Sequence, residues 1–264
     1  MYKECPQITH VMYKSHFISV IIPVLDEESA IGLVVEELLA LKNPDDSLLI
    51  DEIIVCDNGS VDNSTQVAIN AGAFVVHQPE KGYGAACLKA MEYLNAESSI
   101  VLFIDGDHSC VSAQSVPLIT TLIDHEQDLV IGTRVKGKIS KGALTPPQLF
   151  GNQLATFLIR LLWKANITDL GPFRAIRKQS LNTLKMRDRS FGWTVEMQVK
   201  AIQMGFSIEE IPVDSLKRIG KSKISGTLSG VIGAGKGILG MIFNLWWAEN
   251  ITKDEIYMKR SEKS

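Results

Sequence analysis

The sequence predicts an α/β fold, a mostly parallel central sheet flanked by helices. Three observations carry that expectation. Short apolar, β-branched runs alternate with stretches of helical periodicity through the first half of the chain. The runs have the composition of strands covered on both faces. Acidic and glycine-rich stretches follow them directly, at the edge where open α/β sheets bind ligands.

Taken in order, residues 17–24 form an apolar run that closes around Pro23 and predicts a strand, and 27–41 set apolar residues at helical spacing. Residues 51–56 predict a strand, 62–71 a helix, 73–77 a strand, 84–95 a helix and 99–104 another buried strand. A helix over 114–124 and a strand over 128–133 continue the alternation. Residues 136–147, rich in Gly, Lys and Pro, are expected to form a mobile lid. An apolar helix over 148–165, a helix over 191–204 and a strand over 206–213 follow. The expected division is an N-terminal arm over 1–16, one large domain over 17–225, and a C-terminal segment over 226–264.

Composition narrows the function. A chain of 264 residues with 45% hydrophobic and 22% charged residues has the makings of one substantial core. A net charge of −3 gives no basic field for DNA or RNA, so no nucleic-acid partner is expected. Cys5, Cys56, Cys87 and Cys110 are too scattered to signal zinc or a disulfide framework, and a reducing compartment fits them. Residues 1–16 lack a continuous apolar signal region. Lys236 interrupts the most apolar stretch before it reaches the roughly 18 residues of a spanning helix.

Four loops carry the chemistry. Asp26, Glu27 and Glu28 follow the first strand, and Asp57-Asn58-Gly59-Ser60-Val61-Asp62 follows the second. The second loop reads either as a turn with Ser60 capping a helix or as a carboxylate placed for a base or ribose. Lys81-Gly82-Tyr83-Gly84 offers a cation and flexible backbone leading into a helix N-terminus, which suits phosphate, but it is not a Walker A motif. Asp105-Gly106-Asp107 sets two carboxylates on one side of extended chain, where both could grip a hard divalent cation while Gly106 lets a ligand approach. Such an ion would neutralise a departing diphosphate. Short acidic triplets also occur as plain solvated loops.

In this order the motifs resemble family 2 glycosyltransferases, and more closely the polyprenyl- or dolichyl-phosphate sugar synthases. Val20-Ile21-Ile22-Pro23, the four loops, Gly132-Thr133-Arg134, Gly151-Asn152, the run from Asp169 to Arg174 and Lys221-Ser222-Lys223 carry the resemblance across about residues 17–225. It implies an inverting enzyme of the GT-A fold, with the first loop and Asp57 on the nucleotide and Asp105 and Asp107 holding Mg2+ or Mn2+ with the donor diphosphate. Pro23, Asp26, Glu27, Gly59, Ser60, Lys81, Gly82, Gly84, Gly106, Arg218 and Lys223 complete the expected donor site. Two departures bear on it: Asn58 stands where many relatives have aspartate, and His108-Ser109 follows the acidic pair.

The acceptor side divides by chemistry. A lipid phosphate is already anionic and needs positioning cations, for which Arg134, Arg174, Arg218 and Lys223 are candidates. A hydroxyl acceptor needs a base, for which Asp169 or Glu196 would serve, although each also reads as an ordinary turn or helix residue. Residues 215–248 hold five basic residues, no acidic one, and many apolar and aromatic side chains, as an interfacial membrane segment does. A helix packed on the core or forming a contact between copies of the chain is the alternative, and the glycines at 226, 230, 233, 235, 237 and 240 weaken the expectation of a helix in this glycine-rich, amphipathic segment. The expected reaction moves a hexose, from UDP-glucose first and GDP-mannose second, to a polyprenyl phosphate at the cytoplasmic membrane face. The rival readings are transfer to a hydroxyl acceptor, a nucleotidyltransferase, and a non-catalytic nucleotide-sugar binding protein.

Overall fold

The computed structural model describes residues 13–43, 46–220 and 228–261. Most of the expected N-terminal arm and Lys223 therefore lie outside the described residues. Strands β1 (Phe17–Val24), β2 (Glu52–Asp57), β3 (Phe74–His77), β4 (Ser98–Phe103), β5 (Leu129–Thr133), β6 (Arg174–Arg177) and β7 (Ile208–Pro212) form one seven-stranded sheet in the order β3-β2-β1-β4-β6-β5-β7. Every pairing is parallel except those of β6, which is antiparallel to both β4 and β5.

Period-2 alternation along the strands divides the core in two. On one face Ile18, Val20 and Ile22 of β1, Ile53 and Val55 of β2, and Ile100 and Leu102 of β4 pack against α1 (Ile31–Leu39), α2 (Ser64–Ala71) and α4 (Ser115–Asp124). On the other, Ile21, Ile54, Cys56, Val101 and Phe103 meet α3 (Tyr83–Met91), α6 (Lys178–Leu184) and α7 (Trp193–Gln203). Pro23 is accommodated in a central strand because the pairing of β1 with β4 ends at Ile21↔Phe103, leaving Pro23 paired only with Cys56 of β2.

A third apolar cluster joins α5 (Pro146–Trp163) and α7 to α8 (Leu228–Ser261) through Ala155, Ile159, Val195, Val199 and Ile242. The described part of the C-terminal segment is thus one long helix, despite its glycines. Gly233 and Gly237 face the Phe191 side chain, and a Cβ at Gly237 would stand 3.4 Å from Phe191 Cβ. Close packing there offsets the helix-propensity cost of glycine. The Trp163 indole N–H donates to Glu249 at 2.7 Å and ties the end of α5 to α8. The outer faces of the two helices still expose Phe150, Phe157, Leu161, Phe243 and Trp247, each more than half exposed.

The segment expected to be a mobile lid is pinned by backbone bonds. Ser140 N donates to Ser215 O at 2.9 Å, Ser215 N to Lys138 O at 2.8 Å, and Lys138 N to the Asp214 carboxylate at 2.8 Å. At its end, Thr145 and Gln148 form a capping box that starts α5 two residues earlier than the periodicity predicts.

Candidate active site

The first two loops interlock at the carboxyl edge of the sheet. Asp26 N donates to Ser60 Oγ at 2.9 Å, Val61 N to Asp26 Oδ1 at 2.8 Å, and Glu27 N to Ser64 Oγ at 2.7 Å. Ser60 is therefore a loop-to-loop acceptor; α2 begins at Ser64 with Asn63 at its cap, which removes the capping role for Ser60. Gly59 takes φ +83°, a left-handed conformation that glycine adopts without strain. Asp57 is buried, accepts from Ser60 N at 3.0 Å through Oδ1, and lies 3.2 Å from His77 Nδ1 through Oδ2.

Asn58 has a role that only its amide can fill. Its Nδ2 donates to Gln78 O at 3.0 Å and to Glu80 O at 2.7 Å, while its Oδ1 accepts from Gly82 N at 2.7 Å. Three bonds from one buried side chain shape the loop that presents Lys81. An aspartate could accept from Gly82 N but could not donate to either carbonyl.

The glycines of the third and fourth loops serve packing more than ligand approach. A Cβ at Gly82 would fall 2.0 Å from Arg189 O and one at Gly84 2.1 Å from Asp188 O. The first amides of α3 are also spent there, Gly84 N donating to Ser190 O at 3.2 Å and Ala85 N to Arg189 O at 3.0 Å. This overturns the expectation that the α3 N-terminus is open to phosphate. Gly106 likewise sits against Val24, whose Cγ2 would be 2.8 Å from an added Cβ.

Asp105 and Asp107 reach the same cavity. Asp105 Oδ1 accepts from the Tyr83 hydroxyl at 3.1 Å; Asp107 Oδ1 accepts from Ser109 N at 2.9 Å, and its Oδ2 lies 3.3 Å from Arg218 Nη1. Burial, then the neighbouring Asp107 charge, raises the Asp105 carboxyl to about 7. Two close carboxylates destabilise each other's charge, which a divalent cation would relieve, and hard oxygen donors suit Mg2+ or Mn2+. The set fits such an ion. His108 is turned away at φ +59°, with Nε2 2.9 Å from Glu37 on α1, so it does not join the pair. Among the described residues no third His, Cys, Asp or Glu gathers beside them. The remaining positions would fall to diphosphate oxygens and water.

Three cavities converge on Asp105. The first, about 420 Å³, is polar and bounded by Pro23, Glu27, Lys81, Asp105, Asp107 and Arg218. The second, about 440 Å³, runs between α5 and α8 past Phe150, Leu154, Leu170 and Ile238, with Arg134 on its wall. Tyr83, Asp105 and Phe191 are common to both. The third, about 240 Å³, lies under residues 142–145 and shares Asp105, Asp107 and Arg218 with the first. A wider depression of about 970 Å³ opens at the opposite end of the sheet beside Arg177 and Lys178. Its lining holds no carboxylate among the described residues, so the chemistry belongs to the converging three.

Several expected residues prove structural. Asp169 is buried, with Oδ2 accepting from Arg134 N at 2.7 Å and Nε at 2.9 Å, and Oδ1 from Nη2 at 2.7 Å. With both oxygens committed it holds Arg134 in place, and it is not placed as a base. Glu196 accepts from Arg187 N at 3.0 Å, Asp188 N at 2.7 Å and Lys200 Nζ at 2.6 Å. It lines none of the three cavities and instead shapes the loop on which Gly82 and Gly84 pack. Arg174 is wholly buried, donates to Thr194 O and Gly171 O, and burial lowers it to about 10, so it is not an acceptor cation. No pattern in the sequence singled out Phe191, expected only as a helix start, or Tyr83 as the shared wall.

A family model described as glycosyl transferase family 2 matches residues 19–184. The chain is 31% identical over 217 residues to an uncharacterized glycosyltransferase of Mycobacterium tuberculosis, covering 81% of this chain and 93% of that one. It is 28% identical over 225 residues to a dolichyl-phosphate hexose transferase of Haloferax volcanii, covering 84% and 92%. Its fold is similar to that of glucosyl-3-phosphoglycerate synthase from Mycobacterium tuberculosis, seen in complex with Mn2+, UDP and phosphoglyceric acid, at TM-score 0.70 and 20% identity over 88% of this chain and 79% of that one.

Proposed function

Because the chain belongs to glycosyl transferase family 2, we propose that it is an inverting GT-A hexosyltransferase that carries a hexose from a nucleoside diphosphate sugar to a polyprenyl phosphate. The observation that carries this reading is the continuity, at Asp105, of a polar cavity with an apolar one. A nucleoside diphosphate suits the first, bounded by Lys81, Arg218 and the acidic pair. An amphiphile with an anionic head suits the second, whose apolar walls lead to Arg134. UDP-glucose is the first donor to test and GDP-mannose the second. The UDP and Mn2+ bound by the glucosyl-3-phosphoglycerate synthase support that order.

Asp105 and Asp107 would hold Mg2+ or Mn2+, which when bound supplies charge neutralisation for the leaving diphosphate. Lys81 and Arg218 flank the same diphosphate. Arg134, fixed by Asp169, orients the acceptor phosphate so that its oxygen meets the anomeric carbon opposite the leaving group. That oxygen arrives ionised, and no proton has to be removed for the new bond to form.

The exposed apolar faces of α5 and α8 flank the second cavity, since Phe150 and Leu239 both line it and remain exposed. That supports seating at the cytoplasmic membrane face, where a lipid could enter sideways. Among the described residues no helix is long and apolar enough to cross a membrane. Purified protein incubated with Mg2+ or Mn2+, a panel of UDP- and GDP-sugars and a short polyprenyl phosphate should yield a glycosyl phospholipid by mass, and Asp107→Asn should not. Pyrophosphate release, or transfer only to hydroxyl acceptors, would refute the proposal.

A further inference from the structure

Arg218 sits where a metal ion and a diphosphate would meet. Its backbone is fixed on both sides, because Leu216 N donates to Ser109 O at 2.8 Å and Ile219 N to Asp107 O at 3.0 Å. Its guanidinium reaches back over the acidic pair, with Nη1 3.3 Å from Asp107 Oδ2 and Nη2 donating to Glu27 Oε1. One cation thereby counters carboxylates from the loops after β1 and β4.

Its Nε is buried and has no hydrogen-bond partner among the described residues, so this arrangement leaves one strong donor unused. Asp107 has little to spare, since Oδ1 is taken by Ser109 N and Oδ2 faces the guanidinium. A divalent ion binding at Asp107 Oδ2 would meet the Arg218 guanidinium and compete with it for that oxygen. The two positive charges could remain neighbours only with an anion between them.

Resting on the glycosyltransferase reading above, we propose that Arg218 is a resident counter-ion that bars the acidic pair from taking up a bare divalent cation. The cation then enters with the donor diphosphate, onto which the guanidinium, including its unused Nε, transfers. Metal and nucleotide binding are coupled through this one side chain. Arg218 is a positioning residue in the free protein and a diphosphate ligand in the loaded one.

The test reads metal binding and needs no acceptor or turnover. Free Mn2+ is followed by electron paramagnetic resonance during titration of the wild type, Arg218→Gln, Arg218→Lys and Lys81→Gln, each alone and with saturating UDP or GDP. Arg218→Gln should bind bare Mn2+ at least about tenfold tighter than the wild type, the order expected on removing a charge beside a ligand carboxylate. It should also lose most of the tightening that nucleotide gives the wild type. Arg218→Lys should keep the coupling, and Lys81→Gln should leave bare-metal affinity unchanged.

Equal or weaker binding of bare Mn2+ by folded Arg218→Gln overturns the proposal, as does an equal gain in Lys81→Gln. The wider reading fails separately: Mn2+ binding that survives Asp107→Asn would remove the metal site, whereas an unexpected acceptor would leave the counter-ion role intact.

Discussion

Replacing Arg134 by methionine isolates what the Arg134–Asp169 fork contributes. The Asp169 side chain is 1% exposed and Arg134 24%, so the pair is largely shielded from solvent screening. Arg134→Met removes the bonds from Nε at 2.9 Å and Nη2 at 2.7 Å and leaves Asp169 with the Arg134 backbone N–H at 2.7 Å. A buried carboxylate deprived of its cation typically costs about 3–5 kcal/mol. Against a total stability of about 5–15 kcal/mol that is a large fraction.

Urea unfolding measures it. With a slope of roughly 2–3 kcal/mol/M, the midpoint should fall by roughly 1–2.5 M. Removing both partners in Arg134→Met/Asp169→Leu should cost less than the two single changes summed, because no buried charge is stranded. A loss below about 1 kcal/mol for Arg134→Met, or strict additivity in the double variant, would show that the fork does not hold this wall of the cavity.

Gly82→Ala and Gly84→Ala should each lower stability by about 2 kcal/mol or more, because the new Cβ meets the Asp188–Arg189 backbone at 2.0–2.1 Å, whereas Gly59→Ala pays only for its positive φ; thermal unfolding ranks the three. Asn58→Asp removes both donors to Gln78 O and Glu80 O, so nucleotide affinity measured by calorimetry should fall at least about tenfold, and an unchanged affinity would mean that the loop does not need them. In the metal-free protein Asp105 keeps a proton that the unfolded chain has already lost, so stability should fall as pH rises from the ordinary carboxylate range through about 7, and Asp105→Asn should flatten that slope in thermal melts. Phe243→Glu and Trp247→Glu should abolish flotation with anionic vesicles at unchanged melting temperature; a change in sedimentation mass instead would assign the face to contacts between copies of the chain.

The first five strands were legible because each holds an apolar run closed by a polar loop, which burial on both faces explains for β1, β2, β4 and β5, while β3 is partly exposed. Strand β6 was not. It is four residues long and carries Arg174 and Arg177, whose guanidiniums donate to the carbonyls of Thr194 and of Gln127 and Leu122, partners remote in sequence. Helix α8 was obscured by its glycines, of which Gly233 and Gly237 have a use that appears only once Phe191 is in place. The acidic pair and Lys81 could be picked out because their charge types match the chemistry expected at a strand edge, whereas Arg218, named as a candidate cation, is brought beside them by the fold. Gly82, Gly84 and Asn58 were noticed for the wrong reason or left as a departure, because their partners at 188–190 and 78–82 are joined to them only by the fold.

The carboxylates also bear on the class of acceptor. Along the apolar cavity Asp105 is the one acidic residue among the described lining, and it is engaged by the Tyr83 hydroxyl and by the neighbouring Asp107 charge. Asp169 and Glu196, the two expected bases, are saturated by Arg134 and by backbone amides with Lys200. A hydroxyl acceptor entering this cavity would meet a guanidinium and no disengaged carboxylate on its described wall, so its proton would have no nearby base. A phosphate acceptor needs a cation to orient it and nothing to deprotonate it. On the proposed reading, the fork that engages both oxygens of Asp169 would also fix Arg134 for that task, so loss of a base and gain of an oriented cation would be one structural event.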